Sequence, residues 1–332
     1  MKFKDGKFKI LILSDIHTPE EMPIWTENFI RFAMEKEKPD LVVLLGDNTA
    51  GYYKGVTKDK NISAIKKIVS LLGGTAFATV FGNHDHEGLP EMREDMAKEF
   101  LLSVYKEHDN CLAQKGDYSL NIKSSDGKKD VFSLYFIDSG TYAKVGGYAY
   151  VKPAQLENYK REREKNSNLP CYLFQHIIFP QVYDLMDKSK LPKKGYVKGQ
   201  CKYKNSYYKF KSEKLLSGNM KEGPCPPGIN SGQFNVVKEG NNVVACFFGH
   251  DHVNDFVADC FGVKLVATPS PSFYTYGNNR GVRVVTIHEK DLSKLDTKVI
   301  YYNQAMKDRP KSKLLNKWGI QKYERVLRRK GK

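Results

Sequence analysis

The feature that most constrains this chain is a pattern repeated five times: an apolar run of strand length ends abruptly in a short block of Asp, Asn and His. Residues 8–13 run into Ser14-Asp15-Ile16-His17, 41–45 into Gly46-Asp47-Asn48, and 76–81 into Gly82-Asn83-His84-Asp85. Farther on, 171–174 ends at Gln175-His176 and 243–248 at Gly249-His250-Asp251-His252. Between the first three runs, residues 24–36 and the spacing of Ile62, Ile65, Val69 and Leu72 predict helices, so the first half reads as βαβ units around a largely parallel sheet. Ligand groups of open α/β sheets gather beyond the carboxyl ends of the strands. Blocks far apart in sequence are therefore expected to meet. Of the eight histidines only His108 and His288 lie away from the blocks, and His86 directly follows one.

Further helices are predicted over residues 90–105 and 154–165, with strands over 118–122 and 131–137. Residues 263–267, 282–287 and 299–302 read as strands without intervening helices, most economically a second sheet packed on the first. Residues 181–227 are rich in Lys, Tyr, Gly and Pro and lack clear periodicity. They are expected to be an inserted loop or lid beside the polar blocks. With no internal repeat or linker, 332 residues at 40% hydrophobic content suit one large domain over 1–302.

The formal charge of +16 is concentrated in residues 303–332, where eleven Lys or Arg face only Asp308 and Glu324. Trp318, Ile320, Tyr323 and Val326 recur at short spacings among these charges, which predicts a basic C-terminal helical tail with its cations outward. Such a tail admits a nucleic-acid partner, but a solvated helix is the favoured reading. Six cysteines without any C-x-x-C pair exclude a zinc knuckle or thioredoxin-like site. Cys201 and Cys225 could pair only in an oxidising compartment. No apolar run approaches the roughly 18 residues of a membrane span, and the N-terminus shows no signal-peptide core. The chain is therefore expected to be cytoplasmic as it stands, or secreted or periplasmic if a leader has been trimmed. Its oligomeric state is not legible.

The blocks supply imidazoles, carboxylates and side-chain amides, the mixed nitrogen and oxygen set favoured by zinc, iron and manganese, and no thiolate. Two neighbouring ions need a bridging ligand. Asp47, behind a glycine that lets the backbone come close, is the natural candidate.

This order of blocks resembles the calcineurin-like metallophosphoesterase superfamily over about residues 9–255. The resemblance implies an α/β fold, a four-layer α/β/β/α sandwich of two packed mixed sheets flanked by helices. It also implies a dinuclear centre of two divalent or mixed-valence ions (Fe, Mn or Zn). Asp15, His17 and His252 would hold one ion and Asn83, His176 and His250 the other, with Asp47 between them. His84 matches the family histidine that contacts phosphate and protonates the departing alkoxide. The implied reaction is phosphate-ester hydrolysis by attack of a metal-bridging hydroxide, most readily on a phosphorylated small molecule or phosphoprotein as monoester. Phosphodiesterase or nuclease action, and a catalytically silent scaffold, are the alternatives.

Finer features, Asp138-Ser-Gly-Thr-Tyr, Asn230-Ser-Gly-Gln-Phe and Gly249-His-Asp-His-Val-Asn-Asp-Phe, look like the small purple-acid-phosphatase-related branch of plants, fungi and bacteria. One departure is Ala50, which stands where purple members carry a tyrosine; protein phosphatases of the superfamily pair the catalytic histidine with an aspartate from elsewhere in the site, a part that Ala50 cannot play. Asp85 or Asp251 is then the expected partner of His84. Substrate-binding candidates are Asn48, His86, Asn230, Ser231 and Arg280, while Arg283 reads as surface charge. Asn48 and Asn254 are also candidates for orienting the ligands.

Overall fold

The computed structural model describes residues 1–51 and 55–306. The predicted basic tail therefore lies, from residue 307 onward, outside the described residues.

Two large mixed sheets pack face to face. The first has five strands in the order Asp291–Tyr301, Gly281–His288, Lys7–Leu13, Leu41–Leu45, Phe77–Val80. The second has seven, in the order Leu215–Ser217, Val257–Cys260, Val263–Ala267, Val243–Phe248, Cys171–Phe174, Asp130–Phe136, Tyr118–Lys123. Lys7–Leu13, Leu41–Leu45 and Phe77–Val80 are mutually parallel, as βαβ connections require.

Strand alternation sorts the side chains into three apolar layers. Ile10, Ile12, Val43, Leu45 and Ala78 point inward and meet Phe136, Tyr172, Phe174 and Phe247 of the second sheet. Leu11, Leu13, Val42, Leu44 and Phe77 point outward and are covered by Phe29, Ile30, Ile65, Ile68, Leu101 and Tyr105 from the helices Ile24–Glu37, Lys58–Ser70 and Glu94–Lys106. On the far face of the second sheet, Leu173, Cys246 and Phe248 pack with Leu156, Tyr159, Phe234 and Val237 from the helices Pro153–Lys165 and Gln233–Glu239. The order is α/β/β/α. Burial on both faces explains why these strands read as continuous apolar runs, each fully buried Phe or Leu contributing about 2 kcal/mol relative to exposure.

Three sequence expectations are corrected. The late strands do not form a sheet of their own. Val263–Ala267 joins the second sheet, but Gly281–His288 pairs antiparallel with Lys7–Leu13 and carries Asp291–Tyr301 at the edge of the first. The segment 181–227, expected as an inserted loop or lid, carries strands of its own. It forms a three-stranded sheet, Met186–Ser189, Tyr207–Phe210 and Val197–Lys198, built over the packed rings of Tyr183, Tyr203 and Tyr208. A disulfide joins Cys201 to Cys225 within it. Strands of two to four residues leave no measurable period, which is why the sequence hides them.

Arg283 is not surface charge. It is 2% exposed and lies on the inward face with Val285 and Ile287. Its Nη2 donates to Ala267 O at 2.7 Å and Asp255 O at 2.8 Å, on the second-sheet side, so it ties the two sheets together. Burial pulls its pKa down to about 10 against the opposing pull of Asp255. Arg283→Met keeps most of the volume but strands two buried carbonyls. It is expected to lower unfolding free energy by about 3 kcal/mol, measured by urea denaturation.

Candidate metal centre

All five blocks sit at the carboxyl ends of their strands, three from the first sheet and two from the second, along one shared rim. Backbone bonds lock them together: Asp15 N donates to Gly46 O, His17 N to Asp47 O, and Gly249 N to His176 O. His250 N donates to Asp15 Oδ2 at 3.0 Å, joining the two sheets at the cluster. Asp15, His17, Asp47 and His250 all have left-handed backbones (φ 53°, 43°, 49° and 70°). That conformation is costly for residues with a Cβ, and here it turns four functional side chains into one cavity.

Glycines make the approach close. A Cβ on Gly82 would overlap the Asp47 carboxylate and backbone, and one on Gly249 would overlap the Ser14 hydroxyl and crowd Asp15.

The result is two adjacent groups that could each hold a metal ion: Asp15, His17 and His252, and Asp47, His176 and His250. Asp47 Oδ2 lies 3.2 Å from His176 Nε2 and 3.5 Å from His17 Nε2, so it touches both groups. His252 Nε2 is 3.4 Å from Asp15 Oδ1 and 3.2 Å from His17 Nε2. Asn83 stands beside them, donating from Nδ2 to the Tyr142 hydroxyl at 3.3 Å.

The polar atoms fit a pair of cations. Asp47 Oδ2 and Asn83 Oδ1 are buried acceptors and make no hydrogen bond. Orphaned buried acceptors of this kind are costly unless something positive satisfies them. The electrostatics agree. Burial alone would raise the Asp15 carboxyl, but the His176 and His252 imidazoles outweigh it and hold it at about 2. Asp47 is likewise held well below the ordinary range against its own burial by His176 and His17. Burial presses His17 and His250 down to about 3, while His176, despite burial, is drawn up to about 10 by Asp47 and Asp15. Two buried carboxylates held ionised, with the His17 and His250 rings held neutral beside them, form a cation site in charge as well as in shape.

A family model described as "Calcineurin-like phosphoesterase" matches residues 8–254, which span every one of these groups. The chain belongs to that family. Relatives of this calcineurin-like phosphoesterase include "Probable inactive purple acid phosphatase 14" of Arabidopsis thaliana, 28% identical over 87% of this chain and 77% of the relative. Another is "Phosphatase DCR2" of Saccharomyces cerevisiae, 29% identical over 82% of this chain and 48% of the relative. Among solved structures, a dimetal phosphatase from Danio rerio superposes with a TM-score of 0.50 at 11% identity, covering 89% of this chain and 99% of that one. "GAP50 the anchor in the inner membrane complex of Plasmodium" does so with a TM-score of 0.54 at 13% identity, covering 91% and 86%. At these identities the structures speak for the fold.

Several expected residues are placed elsewhere. Asp85 does not face His84. Its carboxylate accepts from the backbone N–H groups of Asn48 (2.7 Å), Thr49 (2.9 Å) and Gly82 (2.8 Å), stapling the second block to the third. Burial and the Asp47 charge push its pKa up to about 6. Asp251 instead accepts from Cys225 N, and Asn254 Oδ1 from Lys221 and Glu222 N, so both bind the disulfide-bearing insertion to the His250–His252 turn. Arg280 is buried over the Phe273 ring and donates to the carbonyls of Ser272, Gly277 and Thr275, bracing a loop rather than facing the cluster. Asn230 is exposed and accepts from Gly232 N ahead of the Gln233–Glu239 helix, and Ser231 lies in the same turn. Asn48 is buried, with Nδ2 toward Thr79 Oγ1 at 3.5 Å. His86 is partly buried, its pKa lowered by burial, near Glu94 and Lys98.

The sequence reading missed a ring of residues at the mouth. Tyr148 meets the His250 ring edge-on (centroids 4.3 Å apart), and Tyr276 lies over His252 (4.6 Å). Tyr276 donates to Glu222, which also accepts from Val253 N. Glu87 Oε2 lies 2.8 Å from His84 Nδ1. The one available signal was Glu87's position three residues after His84. Because a Cβ on Gly82 would overlap the Asp47 carboxylate and backbone, Gly82→Ala is expected to cut bound metal from about two ions per chain to less than half of that. Elemental analysis of dialysed protein, with circular dichroism as the folding control, reads the change.

Proposed function

We propose that this calcineurin-like phosphoesterase is an active dinuclear hydrolase of phosphomonoesters. The observation that carries the reading is Asp47 Oδ2, buried without a hydrogen bond and within 3.5 Å of an imidazole from each candidate metal group. Asp15, His17 and His252 would hold one ion and Asn83, His176 and His250 the other, with Asp47 between. The ions, iron, manganese or zinc by donor chemistry, supply charge neutralisation and water activation to phosphoryl transfer when bound.

The chain's own residues do the rest. His17 Nε2 and His252 Nε2 converge to 3.2 Å with Asp15 Oδ1 within 3.8 Å of each, so the donors for one ion are gathered before substrate arrives. His84 stands at the rim with its side chain a quarter exposed, its ring centroid 5.5 Å from that of His17. From there it can give a proton to the departing oxygen of an ester bound at the cluster. Burial lowers its pKa, but the Glu87 and Asp47 carboxylates outweigh that and raise it. Tyr142, Tyr148 and Tyr276 would flank the leaving group of a phosphorylated small molecule or phosphoprotein.

The names of the plant relatives, which include the word inactive, favour a silent scaffold as the second reading. Against it stands the full donor set. No helix among the described residues is long and apolar enough to cross a membrane. The Cys201–Cys225 bond supports an oxidising compartment over the cytoplasmic expectation.

Turnover of 4-nitrophenyl phosphate beside bis(4-nitrophenyl) phosphate, with Asp47→Ala as control, tests the proposal. The monoester should be the faster substrate, and the control should lose at least about 100-fold. Metal-loaded protein silent on both would favour the scaffold, and a faster diester would overturn the monoester assignment.

A further inference from the structure

We propose that Glu87 is the positioning residue for His84, and that Tyr142 locks it in place; this rests on the phosphoesterase reading above. Asp85 and Asp251, the carboxylates expected to partner His84, are both committed to backbone N–H groups elsewhere. Glu87 takes their place from the same turn as its target. Its N–H closes back on His84 O at 3.3 Å, and Leu89 N on His86 O at 2.9 Å, so successive turns fix where its side chain starts.

Both carboxylate oxygens are used. Oε2 meets His84 Nδ1 at 2.8 Å, and Oε1 accepts from the Tyr142 hydroxyl at 3.0 Å. The same hydroxyl accepts from Asn83 Nδ2 at 3.3 Å, which leaves Asn83 Oδ1 turned away as a buried acceptor. Tyr142 comes from the loop after Asp130–Phe136 of the second sheet and is held by its stack on Tyr148, centroids 5.7 Å apart. A closed chain, Asn83–Tyr142–Glu87–His84, thus links one candidate metal donor to the proton donor. A solvent-exposed His–Glu pair would mean little. Here each member has a second anchor, and both His84 and Glu87 are three-quarters covered.

The chemistry follows. Glu87 accepts a hydrogen bond from Nδ1–H of the protonated His84 ring and thereby presents Nε2–H to the ester. As the P–O bond breaks, the Nε2 proton moves to the leaving oxygen, which departs as an alcohol. His84 remains neutral with Nδ1–H on Glu87 and regains a proton from water. An orienting carboxylate of this kind acts on the proton-transfer step and not on phosphate binding.

The test uses Glu87→Gln and Tyr142→Phe with two monoesters. Phenyl phosphate needs its leaving oxygen protonated, whereas 4-nitrophenyl phosphate does not. Glu87→Gln is expected to lose on the order of 100-fold in kcat on phenyl phosphate but less than about threefold on 4-nitrophenyl phosphate, with KM within about twofold. Tyr142→Phe should move the same way by a smaller factor, and metal content should be unchanged in Glu87→Gln. Equal losses on the two esters, or lost metal in Glu87→Gln, would overturn the assignment. An arm independent of turnover uses zinc-loaded protein with 15N-labelled histidine. His84 Nδ1 should resonate as a protonated nitrogen in the wild type and shift towards a tautomer mixture in Glu87→Gln. An unchanged nitrogen spectrum would also overturn it. Wild-type protein silent on both esters would defeat the phosphoesterase reading alone, because the nitrogen spectrum still decides the pair.

Discussion

Two carboxylates, Asp15 and Asp47, are wholly buried within a cage of histidines, and the rest of the structure is arranged around that arrangement. A buried carboxylate without a cation is among the most costly things a fold can contain. Here the price is compounded by four left-handed residues and by acceptors that find no donor. Strain of this sort persists only where its surroundings over-determine it. Two sheets packed through an apolar, aromatic interior provide that rigidity, and they bring their carboxyl edges together at one line.

The same need for rigidity explains features away from the cluster. Arg283 and the His250–Asp15 bond join the sheets near the site. On the opposite side of the mouth, the 181–227 insertion is fastened by Asp251, Asn254 and Glu222 to the turn that carries His250 and His252. The disulfide at Cys225 sits one hydrogen bond from that turn. An element that the sequence leaves shapeless is thus part of what holds two of the candidate ligands still.

How much was legible depended on the range of the interaction. The strand-end blocks could be read because burial on both faces makes a strand one unbroken apolar run, and the polar residue that ends it stands out. The residue types of a metal site followed from the same signal, whereas the assignment of each residue to an ion came from the family resemblance. Asp85 was misread because a carboxylate next to a histidine suggests a pair, whereas the turn aims it at three backbone N–H groups. Arg283 was read as surface charge and Arg280 as a substrate contact, because only tertiary packing supplies the carbonyls that bury both. Glu87 required knowing that residues 84–92 form successive turns. Of the mouth tyrosines, Tyr142 and Tyr148 share the loop between Asp130–Phe136 and Pro153–Lys165 while Tyr276 comes from another, and no local pattern brings them together.

The central claim is that the cluster is one site for two ions sharing Asp47. The most direct test is anomalous diffraction from crystals of metal-loaded protein. Two peaks are predicted, one within bonding distance of Asp15, His17 and His252, the other of Asn83, His176 and His250, with Asp47 touching both. A single peak, or two that do not share Asp47, would contradict the account.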